Sequence, residues 1–426
     1  MSALKISTEH DRVQLAWNQK TTDQLTFQTI CDLRELESIR KLWMSWQKTR
    51  DSDIDFFSGM VRSRGGGCSA HVIVLLRNGR PDALLVGLRE RRKVPIKICS
   101  VAIIQPELEV LEFVHGGLLG NNSIENSTAF VRTVMKSLAK GAADLALWEH
   151  LDAQSALHLI ATKLPSIGLR DHCRKLRSHW FLYHPKDMEA FLKSLGPGQR
   201  SKLRRKYKKF SDTFAGRIDV RSFQSVTELD EAVRDMEEIA RNSVKRQLGF
   251  GFFNTPRARD QLFVEAAHGW LRIFILYVDG LPVSFWKGTL YQRCLYADHV
   301  GFDSAWSEFS PGIFLFLNVI ERLRDSDIQV IDFGTGTGQF YQSFAKVQRP
   351  EARVRIFAPK FRALRLNLGH TLAHYTTLLI QSTSCLDWAR KAVWKVRKSA
   401  LAPVSPRPSE CDSVKSPAAV LYGERR

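Results

Sequence analysis

Apolar and polar positions along this chain repeat twice in the same order. From His71 to Leu88 (HVIVLLRNGRPDALLVGL) an apolar strand runs into Asn78-Gly79, a proline follows two residues after the glycine, and a second apolar strand returns. Leu271 to Gly288 (LRIFILYVDGLPVSFWKG) repeats the pattern around Asp279-Gly280 and Pro282. Asn-Gly and Asp-Gly accept the positive φ angles of a two-residue turn, so each segment predicts a tight β-hairpin. In the first half a helix over about Asn126 to Lys140 then leads to a strand at Asp144–Trp148. In the second half a helix over about Gly312 to Arg324 leads to a strand at Ile328–Phe333. Its Ile313, Phe314, Leu317, Ile320 and Leu323 fall near helical spacing. Two helices (about Val226–Arg246 and Pro256–Ala267) precede the second hairpin, and a strand at Tyr291–Val300 follows it. A helix at Gln339–Lys346 and a strand at Arg353–Phe357 close that half. The expectation is an α/β protein of two related units, each a mixed, mostly antiparallel sheet flanked by helices.

The segment Leu295–Phe344 carries the most chemistry. An apolar strand enters a loop ending in Ser310-Pro311-Gly312, where a helix begins. N–H groups at such a helix start, backed by the helix dipole, suit a phosphate or pyrophosphate. The next strand ends in Gly334, Gly336 and Gly338, ahead of a helix with Tyr341 and Phe344. This order resembles the core of a GNAT acyltransferase, of the large CelD-like, FemAB-related branch. There a loop ending Ser-Pro-Gly precedes the cofactor helix, and Asp-Phe-Gly and a Tyr-x-x-Phe pair follow. The resemblance covers residues 180–360 well and 30–175 loosely, and it implies tandem GNAT-like units. The expected layout is an N-terminal unit over 1–180 that does not bind cofactor and an acyltransferase unit over 181–360. A basic helical extension over 361–399 and a disordered Pro/Ser-rich tail over 400–426 complete it.

The stretch VIDFGTGTG (330–338) also resembles the first motif of S-adenosylmethionine methyltransferases. That fold needs about five or six strands after the motif, whereas only 88 residues follow Gly338. The strand at Arg353–Phe357 ends in Ala358-Pro359-Lys360, where a ribose-binding carboxylate would belong. The methyltransferase reading is therefore disfavoured.

Composition narrows the partners. The 426 residues carry a net charge of +19, which asks for an acidic partner of some kind. Two segments concentrate it: Arg200–Lys209, with seven basic residues in ten, and Lys360–Lys398, with eight against the single acid Asp387. The first reads as a solvated helix face, a cradle for an anionic substrate or cofactor, or a nucleic-acid contact. The second, with Leu364, Leu368, Leu378, Trp388 and Trp394, reads as an amphipathic helical region packed on the protein or touching an anionic membrane surface. No apolar run approaches the roughly 20 residues of a spanning helix, and the N-terminus lacks a signal-like apolar stretch. Seven scattered cysteines show no Cys-x-x-Cys and no histidine pair at metal spacing, which points to a reducing compartment and no metal. A cytoplasmic protein, at most peripheral to the inner face of a membrane, is expected.

Acyl transfer from a thioester needs a base for the acceptor amine, donors for the oxyanion and an acid for the departing thiolate. The resemblance implies that Tyr291–Val300 splays from Ile328–Phe333 and that acetyl-CoA, or another acyl-CoA, lies in the gap. Val300, Gly301, Ser310, Pro311, Gly312 and Ile313 then bind it, with backbone amides near His299–Gly301 facing the carbonyl. Asp298 and His299 point to opposite faces of their strand, so only one can serve as base, and Asp332 is a third candidate unless it caps the following turn. Tyr341, one turn into its helix, is the candidate acid. Glu308 is either an acceptor ligand or an exposed charge, and Cys294, without a paired histidine in sequence, reads as a buried thiol. The expected activity is acyl-CoA-dependent N-acylation of an amine on a small molecule, amino sugar or cell-envelope precursor. Aminoacyl transfer from charged tRNA is the alternative, and a non-catalytic polysaccharide-assembly or membrane-associated protein is the second.

Overall fold

A computed structural model describes residues 24–99, 101–173, 176–247, 249–335, 344–345 and 347–382. The first half contributes β1 (Leu25–Ile30), α1 (Arg40–Trp46), α2 (Ile54–Ser63), β2 (Cys68–Ala70), β3 (Val72–Arg77), β4 (Arg80–Lys93), β5 (Ile96–Ile98), β6 (Val101–Ile104), β7 (Glu107–Gly120), α3 (Ile124–Ala139), β8 (Leu145–Asp152) and α4 (Ala156–Lys163). After β9 (Leu176–Tyr183) come α5 (Met188–Lys193), α6 (Pro197–Thr213), β10 (Ile218–Phe223), α7 (Leu229–Arg241), α8 (Val244–Gln247) and α9 (Pro256–Ala267). Then follow β11 (Leu271–Val278), β12 (Leu281–Tyr291), β13 (Cys294–Phe302), α10 (Pro311–Arg322), β14 (Val330–Thr335), β15 (Val347–Phe357) and α11 (Phe361–Ser382).

Both hairpins form as their turns dictate. Asn78 and Gly79 take φ of 51° and 76°, and Asp279 and Gly280 take 51° and 77°, the double left-handed turn that matches strand twist. Each hairpin belongs to one continuous sheet running β1-β3-β4-β7-β8-β15-β9-β14-β13-β12-β11-β10. Only the β7–β8 and β13–β14 pairs are parallel. With β14 antiparallel to β9 on its other side, the sheet is not the doubly wound parallel one a methyltransferase requires.

Two geometric features repeat in both halves. The β7–β8 ladder stops at Phe113↔Trp148, although β7 runs on to Gly120 and β8 to Asp152. The β13–β14 ladder stops at Tyr296↔Asp332, although β13 runs on to Phe302 and β14 to Thr335. Beside each opening the antiparallel register slips at a glycine, Gly87 against β7 and Gly288 against β13. A Cβ at Gly87 would lie 2.6 Å from Phe113 Cδ1, and one at Gly288 2.8 Å from the Tyr296 carbonyl oxygen. Glycine is what allows the strands to approach there.

The centre of the sheet departs from a simple tandem. β15, the last strand, crosses back to pair with β8 of the first half, and β9 fills the place beside β14. The two meet over Val347↔Phe181 to Ala352↔Leu176. β15 therefore begins at Val347, six residues before the expected Arg353. The expected helix over Val226–Arg246 is interrupted after Arg241 and continues as the short α8.

Apolar helix faces cover the sheet. α3 buries Phe130, Val131, Val134 and Leu138, and α10 buries Phe314, Phe316, Leu317 and Ile320, with Phe316 stacked on Trp286 of β12 at 5.3 Å. At about 1.5–3 kcal/mol per fully buried large apolar side chain, these faces hold the helix starts in place. α11 packs Ala363, Leu366 and Ala373 into the first-half core and leaves Leu368, Leu372, Tyr375 and Leu379 exposed. Trp388 and Trp394 lie outside the described residues. Among the described residues no helix is long and apolar enough to cross a membrane.

Candidate functional site

The opening between β13 and β14 is flanked by different chemistry on its two sides. On one side lies a pocket of about 470 Å³ lined by Ser284, Phe285, Trp286, Val300, Gly301, Phe302, Ser310, Gly312 and Ile313, with Lys206 and Lys245 at its edges. Five of the six expected cofactor residues thus line one cavity, and Pro311, the sixth, is buried as the first residue of α10. Gly301 is required by packing, since a Cβ there would lie 2.5 Å from Phe285 Cε1. Ser310 sits in the left-handed region (φ 57°) and gives α10 no side-chain cap. Its carbonyl accepts from the Ile313 and Phe314 N–H groups at 3.0 and 3.3 Å, so fewer amides are open than a bare helix start would offer. The Gly312 N–H has no acceptor among the described residues. A Cβ on Gly312 would meet only Phe302 Cδ1 at 3.6 Å, so there is room above this amide. Lys245 is exposed overall, yet its ammonium donates to the Val300 carbonyl at 2.9 Å, and desolvation there lowers its pKa. An apolar wall, an uncapped helix start and two lysines fit a thioester carrier with a phosphate-bearing end.

At the bulge opposite Gly288 the extra residue on β13 is Asp298. Its carboxylate accepts from Arg50 Nη1, from Lys287 Nζ at 2.7 Å and from Thr289 Oγ1 at 2.7 Å. Lys287 also pairs with Glu265 at 2.6 Å. Burial alone would raise the Asp298 pKa, but Arg50 and Lys287 outweigh it and hold the carboxyl far below the usual range. A carboxylate so occupied is a poor proton acceptor. The bulge turns His299 to the same face as Asp298 rather than to the opposite one expected from strand alternation. His299 lines the cleft with Phe252, and burial, with Lys287 adding to it, pushes its pKa down to about 4. It is a neutral imidazole at pH 7.

A third cavity, of about 300 Å³, lies at the opening itself. Tyr296, Ala297 and Asp298 of β13 line it, with Asp332, Phe333, Gly334 and Thr335 of β14, and Arg50, His115, His150 and His179. Asp332 Oδ1 accepts from the Gly334 N–H at 2.7 Å, so it does cap its turn, and from His179 Nε2 at 2.5 Å. Its other oxygen has no partner among the described residues. The cleft beyond, about 480 Å³, shares Arg50, His115 and His150 with this cavity and adds Phe56, Phe113, Phe252, Arg257 and His299.

Residues 197–343 match the family model described as an acetyltransferase (GNAT) domain. This part of the chain is a GNAT acetyltransferase domain. The protein is accordingly an acyltransferase. The crystal structure of FemX superposes with a TM-score of 0.54 at 10% identity, covering 81% of this chain and 100% of that one, a likeness of fold alone. The C-terminal domain of a putative lysylphosphatidylglycerol synthetase from Agrobacterium fabrum scores 0.48 at 14% identity, covering 80% and 97% of the two chains. A tandem GNAT protein of the clavulanic acid biosynthesis pathway scores 0.48 at 10%, covering 79% and 99%. No curated protein matches the chain.

Several residues around the GNAT opening were not legible one by one. Arg50 comes from the loop between α1 and α2, nearly 250 positions from the Asp298 it grips. Lys287 had a signal, a lone cation inside the apolar run VSFWKGTL. His179 and Glu351 had none, because both lie on the two exchanged strands. Cys294 is a thiol that burial pushes up to about 12, unsuited to nucleophilic attack. Glu308 offers its backbone carbonyl to Lys209 Nζ at 3.3 Å. Among the described residues no group of histidines, cysteines or acids is arranged to hold a metal ion. Tyr341, with Gly336 and Gly338, lies outside the described residues.

Proposed function

We propose that this chain transfers an acyl group from a coenzyme A thioester to an amine. One observation carries the reading: consecutive stretches of β13 line two unlike pockets on either side of the β13–β14 opening. Val300–Phe302 face an apolar, lysine-edged pocket, and Tyr296–Asp298 face one lined by carboxylates and histidines. The first suits a long thioester with an anionic end, and the second suits an amine that must lose a proton.

In this reading Lys206, Lys245 and the Gly312 N–H hold the phosphates, and the β13 backbone beyond the bulge faces the thioester carbonyl. Asp332 takes the amine proton through its unpartnered oxygen. Asp298 holds Arg50 in the acceptor pocket rather than acting as base, and His299 lines the acceptor's approach. Tyr341 supplies the proton to the departing sulfur. Tyr341→Phe should then lower turnover about 10²–10⁴-fold with acceptor binding nearly unchanged, and unaltered turnover would remove Tyr341 from the mechanism. The acceptor class is an amine on a small molecule, amino sugar or cell-envelope precursor.

A second reading, aminoacyl transfer from charged tRNA, draws support from α6. Its Lys202, Arg205 and Lys206 have no acidic partner among the described residues, leaving a basic surface. Native mass spectrometry of the full chain with acetyl-CoA and charged tRNA offered together separates the two. A retained acetyl-CoA supports the first reading, and exclusive retention of tRNA overturns it.

A further inference from the structure

The outer face of α11 carries an apolar stripe that the described residues leave uncovered. Phe361, Leu364, Leu368, Leu372 and Tyr375 recur at three- and four-residue spacing, so they stack on one side of the helix. Each is between 38% and 75% exposed. The stripe runs for about 21 Å at the helical rise. The opposite side is already used: Ala363, Leu366, His370 and Ala373 are buried, and Asn367 Nδ2 donates to the Gly168 and Arg170 carbonyls at 2.9 Å. A helix seated on its own protein ordinarily turns polar residues outward. This one turns leucines.

Two neighbouring segments extend the stripe. The β5–β6 hairpin lies along α11, with Ile96 Cδ1 only 2.9 Å from where a Cβ on Gly369 would stand, and the Cys99 N–H donates to Thr377 Oγ1 at 3.1 Å. Its outer strand, β6, is exposed at every position, Val101, Ala102, Ile103 and Ile104. Near the start of α11, Ile167 is exposed next to Gly168, whose Cβ position is 3.9 Å from Leu364 Cδ2. Segments far apart in sequence thus bring exposed apolar side chains together, which marks an interaction surface rather than scattered surface residues.

Charge decides what that surface meets. Neither α11 nor residues 94–106 contain an acidic residue. Arg365 lies over the Phe361 ring at 5.4 Å, and neither it nor the exposed Lys97 has a carboxylate partner among the described residues. A second copy meeting this face about a two-fold axis would bring two basic rims together. Residues 383–398 carry five basic residues against Asp387, so folding them back over the stripe would also set like charges side by side. Anionic phospholipid satisfies both features, taking the leucines into its apolar boundary and the cations onto its phosphates. Because no described helix is long and apolar enough to cross a membrane, α11 would lie in the plane of the surface. We propose that this face of α11, with the β5–β6 hairpin beside it, seats the protein on a bilayer surface rich in anionic phospholipid. Leu368, Leu372 and Tyr375 enter the boundary between headgroups and acyl chains, and Arg365 and Lys97 meet the phosphates. This seating requires nothing of the acyl-transfer site.

Sedimentation of the full chain with vesicles tests it, comparing an equal mixture of phosphatidylglycerol and phosphatidylcholine with phosphatidylcholine alone. The protein should pellet with the mixture and not with phosphatidylcholine, and salt at about 1 M, where screening acts within about 3 Å, should weaken the binding. Leu368→Glu combined with Leu372→Glu should lower the partition coefficient about tenfold or more. Its melting temperature without vesicles should match wild type, because both side chains are already exposed. Arg365→Gln should lower the coefficient about fivefold. Wild-type pelleting that ignores lipid charge, or full pelleting of the double variant, overturns the proposal. A wild type that ignores vesicles altogether overturns it as well. A lower melting temperature in the double variant would then assign the stripe to residues 383–426 of the chain itself, and a dimer that the double variant dissociates would assign it to a second copy.

Discussion

The two openings in this sheet share a construction and differ in their ends. In both, a parallel pair stops early beside a glycine at a register slip, and a helix begins just past the longer strand. In the first half that helix start is closed. Ser123 Oγ accepts from the Asn126 N–H at 3.2 Å, and the Asn126 side chain is tied to Asp82, Asn121 and Arg77. The cavity there is about 230 Å³ and is crowded by His115, His150 and Arg349. In the second half Ser310 leaves α10 uncapped, and the cavity is twice as large and edged by lysines. Backbone topology is thus duplicated while the helix starts differ, one closed by a serine cap and the other uncapped beside two lysines. Each opening has an ion cluster near its register slip, Arg64 with Glu90 and Glu112 in the first half and Arg50 and Lys287 with Asp298 in the second.

That difference can be broken most severely at Lys287. Lys287→Met leaves Asp298 and Glu265 as buried carboxylates with Arg50 alone to offset them, and breaking such a pair costs about 3–5 kcal/mol. Urea unfolding should show that loss. A change below about 1 kcal/mol would mean the cluster is solvated rather than structural.

The hydrogen-bonded seam between the openings, Asp332–His179–Glu351–His150, should respond to pH. His179 is raised from 6.5 to about 9, so its contribution is complete below pH 6.5 and is lost as the pH climbs through 9. Glu351 is depressed: burial alone would raise it, but bonds from His150 and His179 prevail, so its contribution is complete above its ordinary value and fades in acid. Stability should fall by up to about 3 kcal/mol between pH 6.5 and beyond 9, and His179→Gln should flatten that fall. An equal fall in the variant would place the alkaline instability elsewhere.

The caps give the smallest effect and the cleanest contrast. Ser123→Ala should cost about 1 kcal/mol, whereas Ser310→Ala, which removes no cap, should change stability by only a few tenths. Equal losses in the two would erase the distinction between the helix starts.

Much of this contrast could be read in the sequence. The hairpins, the helix at Pro311 and the strand carrying Asp332 follow from turn residues and apolar spacing, which are local signals. Five of the residues expected to bind cofactor gather in one pocket because they sit on two adjacent local elements. The exchange of β9 and β15 was not legible, since both strands look like ordinary members of their own half, and nothing in LRSHWFLY or VQRPEARVRIF names a partner. The chain Asp332–His179–Glu351–His150 depends on that exchange. Asp298 illustrates the converse: it lies on the expected strand, but the bulge that turns it to the same face as His299 was not legible. Its cations, Arg50 and Lys287, come from a distant loop and a neighbouring strand.

The central claim is that the uncapped start of α10 holds the anionic end of an acyl-CoA. Thermal unfolding of wild type, Gly312→Ala and Gly312→Asp with acetyl-CoA tests it directly. The alanine methyl meets only Phe302 at 3.6 Å, so that variant should fold and bind as wild type does, while the aspartate sets a negative charge over the open amide. At 100 times its dissociation constant the ligand should stabilise wild type and Gly312→Ala by about 2.7 kcal/mol and leave Gly312→Asp unshifted. An equal shift in all three proteins would contradict the claim.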